Sequence, residues 1–188
     1  RIPGDRIVAG TYLFSVPGTG GHISLNDAPT RQMLSVMRTA AMMGADIEIS
    51  KEGLSVLAEP ARIPIPYVRT EVYPGFPTDL QSPLMAVMSV GEGTCIIEET
   101  IFEDRFKMAK ELAKMGAQIK IDGKQAFIMG VPKLVGCEVS AAELRGGAGL
   151  VIAGCMAEGE TVVKNRHFIE RGYEDICRDY QNLGVNIY

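Results

Sequence analysis

The chain has 188 residues, 46% of them hydrophobic and 22% charged, which excludes a disordered segment and leaves material for one or two hydrophobic cores. A net charge of -4 argues against a nucleic-acid surface, and the longest apolar run, Leu150 to Ala157, is broken by Gly154 and too short to span a bilayer. No charged-then-apolar leader opens the chain, so it reads as cytoplasmic; Cys95, Cys137, Cys155 and Cys177 stand far apart, in no metal-ligand spacing, and read as reduced thiols.

The predicted elements recur. A helix over Val8 to Val16 is apolar nearly all round, and a strand opens at Gly21-His22-Ile23-Ser24-Leu25. A striped helix follows with Met33, Leu34, Met37, Ala40 and Ala41 on one face, stopped by Gly44. Strands Asp46 to Ile49 and Leu54 to Ala58 then form a hairpin about Lys51-Glu52-Gly53. The second pass has a helix over Leu84 to Val90 and a strand from Gly93. A helix striped by Phe106, Ala109, Leu112 and Ala113 follows, then Gly116, and the pass closes with strands Gln118 to Ile121 and Ala126 to Met129. The third has a helix over Leu144 to Ala157 and a strand from Gly159, a stripe of Tyr173, Ile176, Cys177 and Tyr180, then Gly184 and a last strand ending at Tyr188. Extended proline-containing connectors, Glu59 to Val72 and Gly130 to Val139, join the passes.

One unit has thus been written three times, in the order helix, strand, helix, strand, strand. A unit this small cannot bury its own apolar faces, so the expectation is a single domain over residues 1–188, in three repeats of about 1–72, 73–139 and 140–188. The enclosed helices should lie inside and the sheets outside. The third repeat stops before a return strand, so its last strand should present an open edge, a place for a partner or for self-association.

Departures from the repeat point to chemistry. Asp5, Asp79 and Glu143 precede the opening glycines at similar distances, which suggests helix caps. Asp79, however, lies in Pro74-Gly75-Phe76-Pro77-Thr78-Asp79, a loop stiffened by prolines that could hold a general base in place. Arg31, Arg105 and Arg171 fall near the starts of the striped helices, where cations invite an anionic ligand. The plain alternative for Arg105 is a surface pair with Glu103 or Asp104, and for Arg171 a solvated helix start. Arg145 precedes Gly146-Gly147-Ala148-Gly149, small residues suited to close helix packing rather than to cradling phosphate. His22 and His167 lack metal-site spacing and read as exposed loop histidines.

Taken together, Phe76-Pro77-Thr78-Asp79, Glu99-Thr100-Ile101-Phe102-Glu103-Asp104-Arg105-Phe106, Leu144-Arg145, Ala153 to Gly159 and Glu170-Arg171-Gly172-Tyr173-Glu174 resemble the UDP-N-acetylglucosamine enolpyruvyl transferase family over the whole chain. The resemblance implies an α+β fold, an inside-out α/β barrel of threefold βαβαββ repeats with helices enclosed by sheets, and matches the second of two such domains. It implies transfer of the enolpyruvyl group of phosphoenolpyruvate to the 3-hydroxyl of UDP-N-acetylglucosamine, with release of phosphate, as the committed step of peptidoglycan precursor synthesis. It implies neither cofactor nor metal.

By the same resemblance Asp79 takes the hydroxyl proton and binds the sugar, Ile101 contacts the nucleotide sugar, and Arg105, Arg145 and Arg171 face phosphoenolpyruvate or the closing domain. Guanidinium forks suit both carboxylate and phosphate. The family's cysteine nucleophile, phosphate-binding arginine and uridine loop belong to the other domain, so none of the four cysteines is nominated and the chain is expected to be inactive alone. Glu143 stands where aspartate is expected. Two alternatives share the fold: a shikimate-pathway enolpyruvyl transferase domain, which the Phe-Pro-Thr-Asp and Glu-Arg-Gly-Tyr stretches disfavour, and an RNA-binding module, which the acidic balance disfavours.

Overall fold

A computed structural model describes residues 4–61 and 64–188, so Arg62 and Ile63 of the first connector lie outside the described residues. The first pass forms α1 (Arg6–Thr19), β1 (Gly21–Asn26), α2 (Leu34–Met42), β2 (Asp46–Ile49) and β3 (Gly53–Ala58). The second forms β4 (Tyr67–Arg69), α3 (Gln81–Met88), β5 (Thr94–Glu98), α4 (Met108–Lys114), β6 (Gln118–Asp122) and β7 (Gln125–Met129). The third forms β8 (Glu138–Ser140), α5 (Leu144–Met156), β9 (Val162–Lys164) and α6 (Ile176–Asn182).

Helices α1, α3 and α5 form the interior, as their all-round apolar character requires. Every residue of α3 is buried, and Leu13 and Phe14 of α1 and Leu84 and Met85 of α3 are fully enclosed. Glycines let α5 approach its neighbours: a side chain at Gly149 would begin 2.6 Å from Met108 Sδ and 3.0 Å from the Ser82 carbonyl oxygen, and one at Gly147 2.6 Å from Ile169 Cγ1. The Gly146-Gly147-Ala148-Gly149 stretch therefore serves packing. Of the expected stripe, Met33, Met37 and Ala40 turn inward, whereas Leu34 and Ala41 face outward; Val36, outside that stripe, is buried as well.

The sheets wall this interior. In the first the order is β1-β3-β2, all antiparallel, and in the second β4-β5-β7-β6, with β4 parallel to β5. Alternation with period two sends Leu54, Val56 and Ala58 of β3, and Ala126 and Ile128 of β7, into the core. Gly44, Gly116 and Gly184 follow α2, α4 and α6 at φ values of 89°, 95° and 88°, the left-handed stop the repeat required.

Two differences from the sequence reading are informative. The connectors carry short strands: β4 pairs with β5 through Tyr67↔Ile96, and β8 with β9 through Glu138↔Val162, both parallel. They supply the leading strand of βαβαββ, absent from the element order read off the residues. The second difference is at residues 185–188, where no strand forms. A strand exists only with a partner, and among the described residues no strand pairs with these. This tail instead borders a groove of about 530 Å³, lined among others by Cys155, Thr161, Val163, Ile176 and Ile187. Among the described residues the third sheet holds only β8 and β9. No helix among the described residues is long and apolar enough to cross a membrane.

Candidate active site

The rigid loop before α3 is fastened from below. Phe76 is buried with its ring 6.1 Å from that of Phe14, the Glu71 N–H donates to the Phe76 carbonyl at 2.9 Å, and Pro77 leads into a short 3-10 turn, Thr78–Leu80. Asp79 lies on that turn with its carboxylate half-exposed. It caps no helix.

Its two counterparts in the repeat do cap. Asp5 accepts from the Ile7 N–H at 2.6 Å and the Val8 N–H at 3.2 Å, and Glu143 accepts from the Arg145 N–H at 2.9 Å and from the Gly146 N–H. The glutamate standing where aspartate was expected reaches the same donors with its longer arm. Asp79 is set apart because the 3-10 turn Thr78–Leu80 precedes α3, which starts two residues after Asp79 rather than one, and its side chain is left free of backbone donors.

Two arginines occupy it instead. Arg105 Nη2 donates to Asp79 Oδ1 at 2.6 Å, and Arg145 Nε stands 3.9 Å from Oδ2. The surface alternative for Arg105 does not hold: Asp104 pairs with Lys107 at 3.2 Å, while the Arg105 guanidinium lies 5.2 Å from the centre of the Phe102 ring. Arg145 is largely buried and is steadied by Tyr173, whose ring centre is 5.9 Å from its guanidinium and whose hydroxyl lies 3.5 Å from Nη1. The Thr11 hydroxyl spends its proton on the Ile7 carbonyl at 3.0 Å, so the Tyr173 hydroxyl donates to Thr11 at 2.7 Å and keeps its lone pairs toward Arg145. Helix α1 thereby supports an arginine on α5.

The remaining nominees are placed differently. The Ile101 N–H donates to Glu99 Oε1 at 2.8 Å and its side chain is partly exposed. Arg171 is exposed and has no ion pair or hydrogen bond among the described residues; a side chain at Gly172 beside it would begin 2.8 Å from Leu144 Cδ2, so this segment runs past the start of α5. The structure brings Asp79, Arg105 and Arg145 into contact and leaves Arg171 unengaged. Sequence reasoning missed Tyr173 as more than a core residue, and it assigned nothing to Glu99, whose burial depends on chain segments distant in sequence. His22 is exposed as expected but on β1, with Nε2 2.7 Å from Ser55 Oγ, and His167 is exposed on the 3-10 segment Arg166–Arg171.

The arrangement offers one carboxylate that can take a proton, flanked by cations that hold it and can receive an anion. Among the described residues no three His, Cys, Asp or Glu side chains converge to hold a metal. All four cysteines are free. Burial pushes the Cys95 thiol up to about 12 and the Cys155 thiol up to about 11, which suits structural rather than nucleophilic groups. A thiol-reactive dye at pH 8 should therefore label Cys95 and Cys155 roughly a hundredfold more slowly in the native chain than in urea, read by mass spectrometry of the labelled peptides. Because folding holds these protons more tightly, their contribution to stability is intact below the unfolded thiol value, about 8.5, and is lost as pH rises from there through 11 and 12.

A fold of repeated helix and sheet units has known counterparts. The sequence model of the EPSP synthase (3-phosphoshikimate 1-carboxyvinyltransferase) family matches residues 1–179, and the chain belongs to that family of enolpyruvyl transferases. Curated relatives it matches are named UDP-N-acetylglucosamine 1-carboxyvinyltransferase. That of Desulfovibrio desulfuricans is 43% identical over 185 residues, covering 97% of this chain and 44% of the relative, and that of Desulfofundulus thermocisternus is 41% identical over 184 residues, covering 98% and 75%. The first of these is typical in extent: the chain spans about 44% of the length of most of the curated relatives it matches. Among solved structures, the enolpyruvyl transferase NikO from Streptomyces tendae superposes with a TM-score of 0.84 at 25% identity, over 100% of this chain and 44% of that one. EPSP synthase from Acinetobacter baumannii superposes with a TM-score of 0.61 at 23% identity over 90% of this chain and 42% of that one, which supports the fold.

Proposed function

We propose that this chain is the acid-bearing domain of an enzyme that transfers the enolpyruvyl group of phosphoenolpyruvate to the 3-hydroxyl of UDP-N-acetylglucosamine, in the synthesis of peptidoglycan precursors. The observation that carries the reading is the exceptional state of Asp79: its counterparts cap helices, whereas it faces Arg105 and Arg145.

In this reading the hydroxyl oxygen bonds to C2 of phosphoenolpyruvate while C3 takes a proton, giving a tetrahedral adduct. Asp79 accepts the hydroxyl proton. The C2–O bond to phosphate then breaks, C3 gives up a proton, and the enol ether is restored on the sugar. Arg105, Arg145 and the unengaged Arg171 stabilise the carboxylate and phosphate charge through these steps, at a few kcal/mol for a well-aimed donor. Ile101 lies against the nucleotide sugar. The acid that protonates C3 is assigned to no residue of this chain, so turnover requires the rest of the enzyme as partner, and the action is placed in the cytoplasm.

Calorimetric titration of UDP-N-acetylglucosamine into the chain and into an Asp79→Asn variant tests the binding half. Measurable heat for the chain and at least roughly tenfold weaker binding for the variant is the expected result, given the worth of one hydrogen bond to a charged group. Equal affinity would remove Asp79 from the sugar site.

A further inference from the structure

The position that follows the opening strand departs from the repeat in the same unit as Asp79. Asp27, Glu99 and Asn165 are equivalent there: the N–H groups of Asp27 and Glu99 donate to Glu52 and Lys124, each at the entry to a return strand, and Thr70 and Ala141 donate to the residues just before Glu99 and Asn165. Asp27 and Asn165 are exposed and left-handed, at φ 59° and 61°. Glu99 is 2% exposed.

Four donors converge on this buried carboxylate. Oε1 accepts from Thr70 Oγ1 at 2.9 Å, the Ile101 N–H at 2.8 Å and the Phe102 N–H at 3.1 Å, and Oε2 accepts from Thr78 Oγ1 at 2.7 Å. Thr70 Oγ1 in turn accepts from the Thr100 N–H at 2.9 Å. One side chain thus fastens the end of β4, the residue preceding Asp79, and the turn that leads to Arg105. A buried carboxylate without a cation is costly, and it persists where several fixed donors compensate it. Here those donors belong to the segments that present Asp79 and Arg105 to each other.

We infer that Glu99, acting through the Thr78 hydroxyl, is a positioning residue that sets the direction of the Asp79 carboxylate, an inference that rests on the proposed role of Asp79. Thr78→Val tests it, since it keeps the shape and removes the one hydroxyl that Oε2 accepts from. In a full-length enzyme carrying this sequence, Thr78→Val should lower kcat roughly tenfold or more with KM for the sugar nucleotide changed less than about twofold, because a misaimed base loses rate before it loses substrate. Thr78→Ser, which restores the hydroxyl, should recover the rate. In an Asp79→Asn background, Thr78→Val should cause no further loss.

A silent Thr78→Val beside a damaging Asp79→Asn overturns the positioning role and leaves the base assignment standing. A loss that persists undiminished in the Asp79→Asn background overturns it as well, since Thr78 would then act on something else. A silent Asp79→Asn overturns the base assignment and, with it, this inference.

Discussion

In a full-length enzyme carrying this sequence, Asp79→Asn should lower the rate of phosphate release by about 10²- to 10⁴-fold, the range spanned by removal of a positioned general base. The amide matches the carboxylate in shape, so the loop from Pro74 to Pro77 and the 3-10 turn have no reason to move. What changes is the ability to accept a proton and the partnership with Arg105 at 2.6 Å and Arg145 at 3.9 Å. Those pairs are partly exposed and screened, and contribute at most about 1 kcal/mol each to folding. The variant should therefore melt close to the parent while its turnover collapses. A loss below about tenfold would leave Asp79 a ligand or an electrostatic neighbour rather than a base.

The second large effect is on stability. Gly149→Val should cost about 3 kcal/mol in denaturant unfolding, because its first carbon would press on the Ser82 carbonyl at 3.0 Å and on Met108 Sδ at 2.6 Å. The methionine can swing aside. The carbonyl belongs to the backbone of α3, which is buried along its whole length and cannot yield alone. Helix propensity works in the opposite sense, favouring valine over glycine by a few tenths of a kcal/mol, so a net loss must come from the α3–α5 contact. A change within about 0.5 kcal/mol would mean that these helices slide apart without penalty.

These two positions were legible in the sequence for different reasons. Gly149 belonged to a run of small residues in an apolar helix, which pointed to packing rather than phosphate binding, and it serves packing even though β8 leads into that helix. Asp79 stood out because an acid recurred at the same place in each repeat and only one recurrence sat among prolines. Its capping role in Asp5 and Glu143 could be read from position alone. That Asp79 abandons the role could not, since it depends on the 3-10 turn and on arginines 26 and 66 residues away in the chain. Glu99 was invisible as a site residue for a related reason: at the end of a strand an acid reads as solvated, and only the return of β4 and the 78–80 turn over it creates the burial. The strands β4 and β8 were hidden by brevity and by prolines upstream, and their parallel partners lie beyond a full helix. The expected strand at 185–188 failed in the opposite way, having the pattern of a strand but no neighbour to bond with.

The unequal walls of the three sheets bear on how the molecule moves. Helices α1 and α3 are each shielded by a sheet of three or four strands, whereas among the described residues α5 has only β8 and β9, and beside them a groove bordered by a tail without ladder bonds. Thermal breathing should consequently be lopsided, beginning where α6 and the tail meet α5 and reaching the other two sectors last. Arg145 and Tyr173 lie in the looser sector and Asp79 and Arg105 in the firmer one, so the grip on the acid spans a seam between a stiff and a yielding part of the same body.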